Sequence, residues 1–252
     1  MPTAKTLTAG CEFSISIVSH GHGPHVGALL HDFSRLLESP NAGRCEFLIT
    51  LNIPEDEGFL AAGKSLRVHL HRNSERLGFG ANHNAAFERS RGRHFVVVNP
   101  DIRLRSFRLD DFADALTDAS VGAVAPRVVD SAGMLQDSVR RFPTIKRLAW
   151  RYLSRDWRSE YAPTKSNQVV DWAAGMFLVV RNEAWRQVRG FDERFFMYFE
   201  DVDLCRRLGT HGWRVLYVPS LEVVHDARRA THRDPVHLRW HVRSALRYFS
   251  GF

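Results

Sequence analysis

Apolar runs alternate with helical stretches through the first hundred residues, and this alternation constrains the fold more than any other feature of the chain. The run FSISIVS at Phe13–Ser19 is followed by a helix-like stretch over Val26–Glu38 and then by CEFLITLN at Cys45–Asn52. Next come SLRVHLH at Ser65–His71, the helical segment GANHNAAFERS, and RHFVVVN at Arg93–Asn99. Short β-branched runs separated by polar, helix-length stretches predict a mostly parallel sheet covered by helices. The expected class is α/β, with a Rossmann-like first half.

The second half predicts a helix over Asp110–Ala119, a strand VGAVAPRVV, and a polar, Arg-rich stretch over about 133–168 that reads as a loop with a short helix. A single strand WAAGMFLVV at Trp172–Val180, a helix over Asn182–Val188 and two separate strands, RVLYVP and EVVH, follow. The last element, PVHLRWHVRSALRYFSGF, reads as an amphipathic helix. On it Leu238, Val242, Ala245 and Phe249 share one face, and Arg239, Arg243 and Arg247 form a stripe. The expectation is that the apolar face packs on the domain; the alternative is that the helix lies on an anionic inner leaflet with its arginines toward headgroups.

Charge narrows the partners. Thirty-five Lys and Arg against 28 Asp and Glu leave a net charge of +7, which calls for nucleic acid, an anionic membrane surface or a phosphate-bearing small molecule. Three scattered cysteines, Cys11, Cys45 and Cys205, make no disulfide framework and suit a reducing cytoplasm. The apolar run from Phe13 to Val18 is too short for a secretory signal, and no stretch approaches a membrane span, so a membrane role would be peripheral.

Several segments carry candidate chemistry. In RLGFGANHNAA, Arg76–Ala86, a G-x-G precedes a helix, but the third glycine of a dinucleotide fingerprint is missing at Asn82–His83. Such a loop either cradles a phosphate with backbone N–H groups or is a structural turn. VVVNPDIRL ends a strand at Asn99-Pro100-Asp101, where an open α/β sheet binds ligands; Asp101 there is either a cation ligand on a diphosphate or part of a turn. YFEDVDLCRRL gathers Glu200, Asp201 and Asp203 beside a run of aromatics. If it is helical, Asp203 pairs with Arg207 at i, i+4, leaving Asp201 or Glu200 as a base; the alternative is an acidic first helical turn. His225 ends the strand EVVH, while His20, His22, His25, His69 and His71 lack the cysteine partners of a zinc site.

Taken in order, RNSERLGFGANHNAAFERSRGRHFVVVNPDIRL, VDWAAGMFLVVRNEAW and GFDERFFMYFEDVDLCRRLGTHGWRVLYVPSLEVVH resemble the family 2 glycosyltransferases, especially their rhamnosyltransferase-like branch. The resemblance runs from about Phe13 to His225. It implies a GT-A fold with a mixed central sheet and inverting transfer of a sugar from a nucleotide diphosphate donor, with dTDP-L-rhamnose expected and a UDP-sugar as the alternative. The implied acceptor is a growing glycan or a polyprenyl-diphosphate-linked sugar in bacterial surface polysaccharide synthesis. It places Ser19 and Asn52 near the nucleotide and Arg76, Gly78, Gly80 and Asn82 along the donor pocket. Asn99 and Asp101 fall on the D-x-D motif, with Asp101 and His225 implied to hold Mg²⁺ or Mn²⁺. Asp201 falls on the general base with Glu200 beside it, and Trp172, Gly175 and Asp203 on the acceptor side. Two departures stand out: Asn99 replaces the first aspartate of D-x-D, and Leu51-Asn52 replaces an acidic residue common after the second strand.

The implied organisation is one domain, with a nucleotide-binding half over 11–104, an acceptor and catalytic half over 105–228, and a basic tail over 229–252. The rival from another class is a polyanion- or nucleic-acid-binding protein. The carboxylate cluster counts against it, because a basic binding module has no use for three clustered acids. A nucleotidyltransferase is the nearer enzyme rival, but His20-Gly-His22-Gly lacks the basic residues that clamp a triphosphate.

Overall fold

The computed structural model describes residues 10–37, 41–154, 160, 161, 164–226 and 235–251. Glu38, expected to end the first helix, lies outside the described residues, as do 229–234 at the start of the expected tail.

Among the described residues eleven strands and seven α-helices follow in chain order. They are β1 (Phe13–Ser19), α1 (Gly23–Leu36), β2 (Cys45–Leu51), β3 (Val68–Arg72), α2 (Phe79–Arg89), β4 (His94–Val98), β5 (Ile102–Arg103), α3 (Leu109–Ala115) and β6 (Val121–Val129). The second half holds β7 (Val139–Arg140), α4 (Ile145–Ser154), β8 (Gln168–Val170), β9 (Trp172–Ala173), β10 (Phe177–Arg181), α5 (Asn182–Val188), α6 (Glu200–Thr210), β11 (Arg214–His225) and α7 (Pro235–Ser250).

The main sheet runs β3-β2-β1-β4-β10-β6-β11-β5, with β8 pairing β11. The first four strands are parallel, as the alternation predicted, and β10 enters antiparallel between β4 and β6. Both faces are covered. In β4, Val96 and Val98 point into a core shared with α1 and α3, while Phe95 and Val97 join α2, α5 and α6 on the other side. Continuous apolar runs are what a sheet buried on both faces requires.

Three expected elements differ. The expected strand over Trp172–Val180 is two strands: β9 pairs with β7 in a small separate sheet, and only β10 joins the main one. The break falls at Ala174–Met176, where the Gly175 N–H donates to the Asp201 carboxylate instead of a neighbouring strand. RVLYVP and EVVH form one strand, β11, whose register with β6 shifts between Val218 and Glu222, at Pro219. Proline cannot donate to a ladder, so the strand bulges there and resumes. The third helix ends at Ala115, because Asp118 turns the chain by accepting the Ser120 N–H at 2.9 Å.

On α7 the expected packing face is overturned at Leu238 and Val242, while Ala245 packs on the core and the Phe249 ring reaches Phe199. Leu238 and Val242 are each 49% exposed and Phe249 36%, whereas Ser244 and Tyr248 are buried. The inward face is aromatic and polar because it meets Phe196–Phe199. His237 Nδ1 bonds the Tyr198 hydroxyl at 2.7 Å, and the Ser244 hydroxyl donates to the Met197 carbonyl at 2.8 Å. The rings of His241 and Tyr248 lie against Phe199.

Candidate active site

The expected site residues gather at the carboxyl ends of β1, β2 and β4 and around the start of α6. At β1 and β2, the Asn52 N–H donates to the Ser19 carbonyl at 2.8 Å, and the Ser19 hydroxyl accepts from the His22 N–H at 3.1 Å. The two strand ends are therefore stitched together where an open parallel sheet binds its ligand.

The loop before α2 is built from asparagines. The Asn52 side-chain oxygen accepts the Leu77 N–H at 2.8 Å and the Asn73 amide at 2.9 Å, while its amide donates to the Leu77 carbonyl at 2.9 Å. Asn82, fully buried, accepts from Asn73 at 2.7 Å and donates to the Gly78 carbonyl at 2.8 Å. These carboxamides are occupied in shaping the loop. Its glycines answer to aromatic neighbours: a Cβ at Gly78 would lie 2.7 Å from the Phe196 carbonyl oxygen, and one at Gly80 would lie 2.7 Å from the Phe191 Cβ. Arg76 places its guanidinium 5.4 Å from the Phe196 ring centre and 5.1 Å from that of Trp240. Sequence reasoning missed this tie between the loop and α7; the only signal for it was the unusual density of aromatics after Phe191.

The carboxylates of α6 follow two consecutive left-handed residues, Tyr198 at φ 70° and Phe199 at φ 67°. Bulky side chains there cost about 1–3 kcal/mol each and persist only where the surroundings over-determine them. Here α7 clamps both rings. The turn aims Asp201 at the break in the 172–180 segment. Its Oδ2 accepts the Gly175 N–H at 3.0 Å and its Oδ1 the Val202 N–H at 2.8 Å. Desolvation raises the Asp201 carboxyl above the usual range, opposed by these two N–H groups and by Arg140. Glu200, buried beside it, is raised well above the usual range by burial and by the charge of Asp201. Glu200 Oε2 has no hydrogen-bond partner among the described residues. Such a pair gives up its last proton reluctantly.

Asp203 stands apart from that pair. It is buried and holds Arg207 at 2.6 Å and Arg206 at 3.1 Å, the first being the i, i+4 pairing expected from the sequence. Trp172 donates its indole N–H to the Arg141 carbonyl at 3.0 Å, and Arg140 lies over its ring.

Asp101 and His225, far apart in sequence, meet because β5 and β11 pair with Ile102 opposite His225. Asp101 Oδ1 lies 3.3 Å from His225 Nε2. A hard carboxylate oxygen and an imidazole nitrogen converging on one point fit Mg²⁺ or Mn²⁺, provided that ligand oxygens complete the set. Among the described residues no cluster of three or more His, Cys, Asp or Glu side chains forms a cation site by itself. Asn99 donates its N–H to the Met176 carbonyl at 2.9 Å, at the break before β10.

The family described as "Glycosyltransferase like family 2" matches residues 59–243, most of the chain and all of the carboxylate-bearing half. The protein belongs to this family. It is a glycosyltransferase with a GT-A fold. It is 33% identical over 250 residues to the N-acetylglucosaminyl-diphospho-decaprenol L-rhamnosyltransferase of Mycobacterium tuberculosis (strain H37Rv), covering 90% of this chain and 80% of that one. To the rhamnosyltransferase WbbL of Escherichia coli K12 it is 30% identical over 259 residues, covering 94% and 92%. The fold matches the crystal structure of GalNAc-T7 with UDP, GalNAc and Mn²⁺ at a TM-score of 0.69 and 14% identity, covering 94% of this chain and 48% of that one. No helix among the described residues of this glycosyltransferase is long and apolar enough to cross a membrane.

Proposed function

We propose that this glycosyltransferase moves L-rhamnose, with inversion, from dTDP-L-rhamnose to a polyprenyl-diphosphate-linked glycan in bacterial surface polysaccharide synthesis. The reading rests on the Asp201 carboxylate, which two backbone N–H groups orient and whose affinity for a proton burial raises. The two rhamnosyltransferases among its relatives support the choice of sugar and of a lipid-linked acceptor.

In the reaction the acceptor hydroxyl oxygen attacks the anomeric carbon, its proton passes to Asp201, and the bond from that carbon to the nucleotide diphosphate breaks with inversion. A carboxylate positioned in this way contributes roughly 10²–10⁴-fold. Glu200 keeps the base from being solvated and, when it ionises, raises its basicity. A divalent cation held by Asp101 and His225 would offset charge gathering on the leaving diphosphate. Ser19 and the loop that Asn52 and Asn82 shape would receive the nucleotide, with Gly175 and Trp172 on the acceptor side of the base. As the enzyme works on a lipid-linked substrate, its place is the cytoplasmic face of the membrane.

Transfer from dTDP-L-rhamnose to a synthetic prenyl-diphospho-N-acetylglucosamine, followed by mass spectrometry, tests the reading. Asp201→Asn should lower turnover by roughly 10²–10⁴ with little change in dTDP affinity; a variant retaining a tenth of wild-type activity would remove Asp201 as the base. EDTA should abolish transfer and Mn²⁺ or Mg²⁺ restore it in the wild type but not in Asp101→Ala. Turnover with a UDP-sugar and none with dTDP-L-rhamnose would reassign the donor.

A further inference from the structure

Helix α7 has three faces, and the fold rests chiefly on one of them, with Phe249 at the end of a second touching Phe199. His237, His241, Ser244 and Tyr248 face the catalytic segment. Leu238, Val242 and Leu246, at steps of four, form with Phe249 a stripe that is 49%, 49%, 68% and 36% exposed. Between these faces, one position further round, lie Arg239, Arg243 and Arg247. None of the three arginines has a carboxylate partner among the described residues.

Arg243 and Arg247 also line a concave cleft of about 470 Å³ whose aromatic walls are Phe196 and Trp240. Ser244, Glu193 and Arg194 complete it. Glu193 is engaged by the Asn84 amide at 3.0 Å, and Arg194 by Asp192 at 2.7 Å. Arg76 stacks over the same two rings from the donor side. Phe196 in turn accepts the Phe79 N–H at 2.9 Å, and the Phe79 ring lies against Gly175 beside Asp201. Packed residues thus join one wall of the cleft to the segment that holds Asp201.

We propose that this cleft binds the diphosphate of a prenyl diphosphate acceptor, with its hydrocarbon chain leaving along the Leu238, Val242, Leu246 and Phe249 stripe. Guanidinium forks match phosphate oxygens, and two arginines with no carboxylate partner among the described residues, at the mouth of a cleft, supply the charge a diphosphate needs. An anion alone would leave the adjacent apolar stripe without a role. A flat bilayer contact would account for the stripe and leave the concavity without one. An amphiphile with a diphosphate head accounts for both. The proposal rests on the reading of a lipid-linked acceptor and assigns its head and tail to named residues.

Calorimetric titration of the full chain with farnesyl diphosphate, inorganic pyrophosphate and farnesol separates head from tail, and dTDP titration monitors the donor site independently. Wild type should bind farnesyl diphosphate at least tenfold more tightly than pyrophosphate or farnesol. Arg243→Gln/Arg247→Gln should lose at least tenfold in farnesyl diphosphate affinity with dTDP affinity and thermal midpoint unchanged. Leu238→Ser/Val242→Ser/Leu246→Ser should fall toward the pyrophosphate value. The proposal is overturned if farnesyl diphosphate does not bind, if pyrophosphate binds as tightly, or if the arginine variant is unaffected. Arginine-dependent sedimentation with phosphatidylglycerol vesicles in the absence of farnesyl diphosphate binding would also overturn it, in favour of a bilayer contact. Loss of dTDP binding with farnesyl diphosphate binding intact would sink the transferase reading and leave the cleft standing.

Discussion

Gly78→Ala separates two reasons for a glycine at the start of α2: close approach of a phosphate and close approach of an aromatic segment. Gly78 has φ −70° and ψ 167°, which alanine adopts freely, so the substitution adds no backbone strain. The new Cβ would lie 2.7 Å from the Phe196 carbonyl oxygen and 3.0 Å from its Cα, and these backbone atoms cannot rotate away. The Phe79 N–H bond to the same carbonyl, 2.9 Å, would lengthen with any retreat. Overpacking costs about 1–3 kcal/mol, and against backbone atoms the upper part of that range applies, about 1.5–3 kcal/mol, offset by about 0.4–1 kcal/mol because alanine restricts the unfolded chain. The net loss is roughly 0.5–2.5 kcal/mol, which for a chain of this size lowers the melting temperature by about 1–10 °C. Calorimetry on ligand-free protein checks this, with Gly43→Ala as control, since a Cβ at Gly43 meets nothing within 4 Å. An unchanged melting temperature in ligand-free Gly78→Ala, with weakened dTDP binding, would refute the packing argument and return the glycine to the phosphate.

Two further outcomes follow from buried carboxyls. Burial and Asp201 raise the Glu200 carboxyl, so the folded protein holds that proton more tightly than the unfolded chain. Its contribution to stability is complete below the unfolded value of about 4.3 and is lost as pH rises through the folded one. Glu200→Gln should therefore flatten the decline in denaturant midpoint between pH 5 and pH 8; an unchanged slope would show that Glu200 ionises freely. Asp32 has the opposite sign: burial opposes its ionisation, but Arg103 at 2.7 and 2.9 Å and the Leu104 N–H at 3.0 Å outweigh it and hold the carboxyl below the usual range. That contribution is present above about pH 3.9 and is lost on acidification through the folded value. Asp32→Asn should cost about 1–3 kcal/mol at pH 7, measured by urea unfolding, and the gap to wild type should close in acid; a gap that persists unchanged would exclude the ion pair as its source.

The parts of the molecule that were legible in the sequence are those in which neighbours along the chain decide the outcome. Strands β1 to β4 read directly because a sheet buried on both faces writes its pattern into each short run, as Phe95–Val98 does. The Asp203 and Arg207 pairing was legible for the same reason, being one helical turn apart. Contacts set by register were not legible in the local sequence, and the pairing of Asp101 with His225 entered only through the family resemblance. Asp101 meets His225 only because β5 pairs antiparallel with the end of β11, and Asp201 meets Gly175 only because the 172–180 segment breaks where a strand was expected. Nothing in either local sequence carries that information beyond the residue types themselves.

Helix α7 failed in a more instructive way. Its hydropathy pattern was read correctly, but the apolar face turns inward only at Ala245 and in part at Phe249, because the fold needed histidine, serine and tyrosine to grip two left-handed aromatics. Natural sequences depart from local rules chiefly at functional sites, where something other than stability is being satisfied. A helix that turns its leucines and valine outward and spends its polar residues on the segment before the catalytic carboxylates fits that description. Its inner face grips the turn that aims Asp201, and its outer face exposes Leu238, Val242 and Leu246 beside arginines. Part of the net charge of +7 then has a location, in the arginines of α7 that have no carboxylate partner among the described residues and that the proposed lipid diphosphate would meet.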